Sequence, residues 1–321
     1  MAARRIRFSD FHPPTNTFRK EVLDGLSQQP KRIAPKFFYD SRGSELFDAI
    51  CALPEYYPTR TEIDILKDHA AQIASLTGPN CRLIEFGSGN SHKVRLLLET
   101  LRPAAYLPMD IACDQLSQAA QALADIYPWL EVHATCIDFS RHFVIPPISG
   151  VGRKLAFFPG SSIGNFEPDD TIVFLRDVAR TVEPDGALLI GVDLKKDPRV
   201  LHAAYNDVPG ITAQFNLNLL TRINRELDGN FVLENFAHLA FYNQAHGRIE
   251  MHLTSLQDQD IRIGDDSFHF ARGEHMHTEN SYKYDITEFQ DIARKAGFEP
   301  TAVWTDPGHL FSVHYLNLGR Y

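Results

Sequence analysis

Residues 83–91 read Leu-Ile-Glu-Phe-Gly-Ser-Gly-Asn-Ser, an apolar strand that carries one acid and then breaks into a Gly-x-Gly loop. Gly87 and Gly89 can take backbone angles closed to other residues, and with Ser88 between them they let a ligand approach the main chain. A helix beginning near Ser91 would aim free N–H groups at the same place. A dinucleotide fingerprint requires a third glycine at position 92, where this chain has His92. That departure disfavours a pyrophosphate and favours a nucleoside cofactor without phosphate, such as S-adenosylmethionine. Two further strand ends suit the same ligand. Asp110, after Met109, follows the glycine loop by about 20 residues, where a carboxylate accepts from ribose hydroxyls. Asp138-Phe139 joins an acceptor for an adenine amino group to a ring that can cover the base. Taken singly, Asp110 also reads as a helix cap and Phe139 as a core ring; one ligand lying across the carboxyl edge of a sheet accounts for all three.

The run Phe157-Phe158-Pro159-Gly160-Ser161-Ser162-Ile163-Gly164-Asn165-Phe166 leaves the next strand beside the expected donor. Its small residues admit a second substrate, and Asn165 can both donate and accept hydrogen bonds. The same run reads equally as a loop leading into a helix, with Glu167-Pro168-Asp169 at its start.

These positions need a scaffold, and the chain supplies a rhythm of short apolar strand and longer helix. A helical pattern over 62–75 leads to a strand at 82–86, a helix at 92–100, a strand at 105–111 and a helix at 115–126. Strands at 131–136 and 154–158, a helix at 168–181 and a strand at 187–192 follow. Strand alternating with helix makes an α/β fold with a doubly wound parallel sheet. After about Lys196 the pattern changes. A helix over 211–225 precedes alternating segments at 231–233, 239–242, 248–253, 261–263 and 267–270, separated by Gly, Asn and Asp turns, which reads as an antiparallel meander. A helix at 285–296 and strands at 301–304 and 310–317 resume the first style. The expected organisation is a cofactor-binding domain from 61–199 plus 285–321, with a substrate-binding α+β domain inserted from 1–60 plus 200–284.

A chain of 321 residues, 44% hydrophobic and 23% charged, buries a full core. Its net charge of -9 argues against nucleic acid or an anionic membrane as partner and leaves a small molecule. Cysteines at 51, 81, 113 and 136 show no C-x-x-C pairing, so neither a zinc knuckle nor a disulfide is indicated and a reducing compartment is expected. His269, His275 and His277 lack a carboxylate or thiol at ligand spacing, so no metal is expected. The arginines near Met1 are followed by no apolar stretch, and no later run reaches membrane-spanning length; the expectation is a cytoplasmic protein.

Five segments, Lys36-Phe-Phe-Tyr-Asp-Ser-Arg-Gly-Ser-Glu-Leu-Phe-Asp48, Leu53-Pro-Glu-Tyr-Tyr-Pro-Thr-Arg60, Glu85-Phe-Gly-Ser-Gly-Asn-Ser91, Phe158-Pro-Gly-Ser-Ser-Ile-Gly-Asn-Phe166 and Thr278-Glu-Asn-Ser281, resemble the histidine-specific Nα-methyltransferases of ergothioneine biosynthesis. The resemblance spans nearly the whole chain, though Phe86 and Asn90 stand where that family commonly has leucine and threonine. It implies a class I methyltransferase fold with an added substrate domain, S-adenosylmethionine as methyl donor, and threefold methylation of the α-amine of L-histidine to hercynine. A monomer is the separate expectation. Matched position by position, it implies Gly87, Lys93, Asp110, Asp138 and Phe139 at the cofactor, beside Ser88 and Gly89 of the loop. It implies Tyr56, Gly160, Asn165, Tyr205, Glu279 and Ser281 at the amino acid. Within that set Asn165 and Tyr205 suit the α-carboxylate, and Tyr56, Glu279 and Ser281 suit the imidazole. Tyr39 offers a π face to a methylated ammonium, and Met251 stands on a preceding strand of the inserted domain. Glu279 and Ser281 share a strand face because the strand period is two.

Two other readings remain. An α-amine methyltransferase for another amino acid, such as tryptophan, would be favoured by loss of the acid at 279, and the acid is present. A catalytically silent cofactor-binding partner would be favoured by damaged glycine or substrate loops, and both are intact.

Overall fold

The computed structural model describes residues 6–11 and 16–319. In chain order the elements begin β1 (Ile6–Phe11), α1 (Asn16–Leu26), α2 (Ser41–Cys51), α3 (Tyr57–Thr77), β2 (Arg82–Phe86), α4 (His92–Leu101), β3 (Ala105–Asp110), α5 (Cys113–Ile126) and β4 (Val132–Ile137). They continue with β5 (Lys154–Phe158), α6 (Pro168–Val182), β6 (Ala187–Asp193), α7 (Pro198–Tyr205), α8 (Ile211–Leu227), β7 (Phe236–Asn243) and β8 (Arg248–Ser255). The last are β9 (Gln259–Ile263), β10 (Asp266–Phe270), β11 (His275–Tyr282), α9 (Ile286–Lys295), β12 (Phe298–Thr305) and β13 (Phe311–Leu318). Two compact units result, one from 1–12, 58–195 and 283–321, the other from 13–57 and 196–282.

The first unit holds an eight-stranded sheet in the order β1-β4-β3-β2-β5-β6-β13-β12. Strands β1 to β6 run parallel, and β13 and β12 close the far edge antiparallel. Every residue of β4 and β6 is buried, as expected of parallel strands covered on both faces. From β2 the chain builds outward through β3 and β4, then returns to lay β5 on the other side of β2. That reversal makes the switch point at whose carboxyl edge open α/β sheets bind ligands. The core joins Leu83, Tyr106, Leu155, Leu189, Val313 and Tyr315 of the sheet to Leu97 and Leu116 of the helices. At the opposite edge, Arg153 donates to the carbonyls of Leu76, Asp185 and Gly186 and to Tyr315 and Asn317, gathering the ends of α3, β6 and β13.

Three findings differ from the sequence reading. Residues 6–11, expected with the substrate domain, form the edge strand of the large sheet beside β4, where Phe8 and Phe11 stay half exposed and obscure any apolar face. Residues 231–233 are not a strand: a short 3-10 turn at Leu233–Asn235 precedes β7. Cys113 and Cys136 are joined as a disulfide, Cα atoms 5.2 Å apart, whereas Cys51 and Cys81 are in no disulfide. β3 and β4 are neighbours, so the turn after β3 brings Cys113 over the end of β4 despite a separation of 23 residues. No helix among the described residues is long and apolar enough to cross a membrane.

In the second unit β7, β8 and β11 form an antiparallel sheet in the order β11-β8-β7, and β9 and β10 make a separate hairpin. The expected meander is thus interrupted: the hairpin leaves the sheet and β11 returns to pair with β8. α2 packs on α8, and Asp40 ties them. Its carboxylate accepts the Gly43 N–H at 2.7 Å, capping α2, and also takes Asn218 at 2.8 Å and Arg225 at 2.7 Å from α8. Burial pushes the Asp40 pKa up, but these donors more than offset it and leave the carboxyl below its ordinary value. A side chain at Gly43 would lie 1.7 Å from the Phe38 carbonyl, so the Tyr-Asp-Ser-Arg-Gly turn needs glycine there.

Replacing Arg153 with Met should remove about 2 to 4 kcal/mol of stability, since several charge-assisted hydrogen bonds are lost and carbonyls are left unpaired. Urea unfolding followed by tryptophan fluorescence checks it; an unchanged midpoint would show that the guanidinium adds nothing net.

Candidate functional site

In the first unit the strand β2 ends at Phe86, and the glycine loop folds back onto β3. The amides of Gly87 and Ser88 donate to the Met109 carbonyl at 2.9 and 3.1 Å, with φ of +69° at Gly87 and +48° at Gly89. The Gly89 N–H donates to Asp110 Oδ2 at 2.9 Å, and Asp110 Oδ1 takes the Ala112 N–H at 3.0 Å. The acid thus orders both loops, and burial still raises its pKa against the pull of those N–H groups. Asp138, at the end of β4, is buried and accepts from Ser140. Next to it Phe139 packs edge-on against Phe86 and Phe158, with its ring tip 3.7 Å from where a Cβ on Gly87 would stand.

The structure therefore brings Gly87, Ser88, Gly89, Asp110 and Phe139 together at the carboxyl edge, with Asp138 beside Phe139. A Cβ on Gly89 would meet nothing within 4 Å. The Ser88 hydroxyl is buried and has no hydrogen-bond partner among the described residues. Open space lined by an orphaned hydroxyl, a desolvated carboxylate and an aromatic ring fits a nucleoside with free ribose hydroxyls.

Beneath the loop, Glu85 of β2 is buried and hydrogen-bonded to Tyr106. Burial lifts its pKa to about 8, although Tyr106 and Lys93 pull it down. Burial thus favours its neutral form, and the Tyr106 hydroxyl donates to Glu85 Oε2. Lys93, in the first turn of α4, meets Glu62 of α3 at 2.6 Å. Glu62 also accepts the Gly160 N–H. Gly160 and Ser161 both have positive φ, +80° and +57°, and a 3-10 turn from Ser162 to Asn165 follows, so the loop is a tight, folded segment. Its far side is fixed by the Asp193 N–H, which donates to Ser161 Oγ at 2.9 Å, while the Asp193 carboxylate pairs at 2.7 Å with Lys283, both side chains almost wholly buried.

In the second unit Tyr39, Phe47, Tyr56 and Tyr205 form a row of edge-on rings with centroids 5.6 to 6.3 Å apart. Burial holds the Tyr56 phenol well above its ordinary pKa, with further contributions from Tyr205, Cys51, Tyr39 and Glu279. The Tyr205 hydroxyl donates to Ser281 Oγ at 2.8 Å. On β11 Glu279 pairs across the ladder with the buried Met251 of β8, and Ser281 pairs with Ile249. Tyr56, Tyr205, Met251, Glu279 and Ser281 are thus one neighbourhood, with Tyr39 at the head of the ring row. Tyr205, grouped by the sequence reading with Asn165, has its hydroxyl on Ser281.

Two residues at these places escaped the sequence reading. Glu62 sits in a helical run of mixed charge where an acid reads as solvated. His238 of β7 stands 2.9 Å from the Tyr205 carbonyl through Nε2 and takes the Asn216 amide at 2.9 Å on Nδ1. Those partners assign the Nε2–H tautomer, and burial lowers its pKa. The imidazole therefore fixes the end of α7 that carries Tyr205. Nothing in the local sequence marks either residue; only the fold supplies their partners.

The family model for SAM-dependent, histidine-specific methyltransferases matches residues 18–318. A histidine N-alpha-methyltransferase from Mycolicibacterium smegmatis is 42% identical over 301 residues, covering 92% of this chain and 93% of that protein. Ergothioneine biosynthesis protein 1 from Neurospora crassa is 31% identical over 91% of this chain, which spans 34% of that longer protein. Among solved structures, the CcbJ methyltransferase from Streptomyces caelestis superposes with a TM-score of 0.50 over 88% of this chain and all of that one, at 13% identity, a likeness of fold alone.

The Asp110→Ala variant should bind S-adenosylhomocysteine far more weakly, because two charge-assisted hydrogen bonds of about 1.5 to 3 kcal/mol each are lost to a ribose. Titration calorimetry reads this directly; an unchanged dissociation constant would remove Asp110 from the cofactor site.

Proposed function

The chain belongs to the histidine-specific, S-adenosylmethionine-dependent methyltransferase family, and from that premise we propose that it methylates the α-amine of L-histidine three times to give hercynine, the first step of ergothioneine biosynthesis. The match over nearly the full length of a histidine N-alpha-methyltransferase carries the reading. It is supported by the acid Glu279, set among aromatic side chains and opposite Met251.

S-adenosylmethionine supplies a methyl group on a sulfonium, which leaves as a neutral thioether when the amine nitrogen takes the methyl. The protein's task is placement, since nitrogen, methyl carbon and sulfur must lie in a row. On the cofactor side Asp110 takes the ribose hydroxyls, Asp138 the adenine amino group and Phe139 the base, with Gly87, Ser88 and Gly89 as the floor and Lys93 at the mouth of α4. Gly160, without a side chain, lets the amino acid come close to the loop after β5. Asn165 holds the α-carboxylate, so the backbone of the amino acid stays in register through successive rounds. Glu279 accepts an imidazole N–H and Ser281 serves the other ring nitrogen.

An ammonium has no lone pair, so the amine gives up a proton before each transfer. As methyls accumulate it also loses N–H donors. The face of Tyr39 suits that change, because an aromatic ring attracts a quaternary cation without needing a donor. An imidazole N–H gives Glu279 a hydrogen bond that an apolar side chain cannot, and that difference favours histidine.

Incubation of the protein with L-histidine and excess S-adenosylmethionine should yield a product three methyl groups heavier, with the added mass on the α-nitrogen by fragmentation mass spectrometry. No methylated product would reject the reading. The paired substitution Glu279→Ala with Met251→Val removes the hydrogen bond to imidazole and opens space for a larger ring. Its kcat/KM should fall for histidine by about a hundredfold, in line with loss of a charged hydrogen bond, and rise from background for tryptophan. A variant that kept the parent's preference would place selectivity elsewhere.

A further inference from the structure

Glu62 has no place in the chemistry above, yet it is wholly buried and its two oxygens have more than one partner. Both accept the Gly160 N–H, at 3.0 and 2.9 Å, and Oε2 lies 2.6 Å from the Lys93 ammonium. Room for it is made on β6, where a Cβ at Gly191 would stand 2.0 Å from Glu62 Oε1. The close fit extends to the other two groups, since a Cβ on Gly160 would come within 3.3 Å of Lys93 Nζ. A buried carboxylate is tolerated only with such partners, so any shift of Lys93 is felt at Gly160.

We propose that Glu62 is the positioning residue that couples cofactor binding to amino-acid binding. The inference rests on the functional reading above, in which Lys93 faces the cofactor and the Gly160–Asn165 loop faces the amino acid. A bound cofactor, with its anionic methionine carboxylate, restrains the Lys93 ammonium. Through the ion pair that restraint passes to Glu62 and from there to the Gly160 amide. The loop is then already ordered when the amino acid arrives, which strengthens its binding without any new contact to it. By reciprocity, the amino acid strengthens cofactor binding by the same factor.

The test is titration calorimetry of L-histidine with and without saturating S-adenosylhomocysteine, on the full-length parent and on Glu62→Gln. The glutamine keeps an acceptor for the Gly160 N–H but gives up the ion pair. In the parent, S-adenosylhomocysteine should tighten L-histidine binding by about tenfold, within the usual range of coupling between sites. In Glu62→Gln the tightening should drop below about twofold, while the melting temperature shows that the variant is folded. Lys93→Met breaks the same link from the other end and should also abolish the tightening. Coupling that survives in either folded variant, or a parent with no coupling, would overturn the proposal. A parent that binds neither ligand would instead overturn the functional reading. Amide exchange on the parent needs no variant: S-adenosylhomocysteine alone should increase protection of the peptide spanning 157–166, and no change there would also count against Glu62.

Discussion

Carboxyl groups withdrawn from water at one edge of one sheet set the terms for the rest of this molecule. Glu62, Glu85, Asp138 and Asp193 are all buried at or near the carboxyl ends of β2, β4 and β6. Each must find donors there or give up its charge. Glu85 takes the second course, its pKa raised to about 8 by burial while the Tyr106 hydroxyl donates to it. Asp193 takes the first and pairs with Lys283 inside the protein. The remaining groups draw on backbone amides of the loops themselves, so satisfying the acids and folding the loops are the same event. Charge at this edge is thus largely balanced within the protein, Glu62 by Lys93, Asp193 by Lys283, and Glu85 by its raised pKa.

The second unit solves a different problem with different materials. A row of rings from Tyr39 to Tyr205 gives a surface that is apolar in bulk but electron-rich on its faces. One acid and one hydroxyl on β11 add direction to it, and the Asp40 cap that ties α2 to α8 holds the segment around Tyr39 in place. His238 and Asn216 do the same for the end of α7. Rigid supports of this kind matter because a charge or ring displaced by about 1 Å from its working position loses much of its effect.

The parts of the fold that the sequence made legible are those where burial leaves a simple pattern. Arg82–Phe86 and Lys154–Phe158 stand where their apolar runs put them, because a central parallel strand is covered on both faces. β1 was hidden by its position at an edge, with Phe8 and Phe11 turned partly to solvent. The β9–β10 hairpin looked like part of a continuous meander because turn residues announce a reversal but not which strand the chain pairs with next. The Cys113–Cys136 pairing and the roles of Glu62 and His238 depend on neighbours far away in the chain, and no local pattern encodes those. The glycine loop and its acids were readable as a set because the fold places successive strand ends along one edge; Lys93 came only with the family resemblance, and Glu62 below it was not readable.

Strand β13 pairs with β6, and the whole of the second unit's later segment lies between them in the chain. During synthesis β6 therefore emerges without the neighbour on its outer side and remains an open edge until the last strands have left the ribosome. An edge so apolar is a template for pairing with another chain. The interval during which it stays open is set by how long translation takes to cross the intervening residues. Aggregation of the nascent chain, more than instability of the finished one, is thus the hazard built into this topology, and slower elongation through the second unit prolongs it.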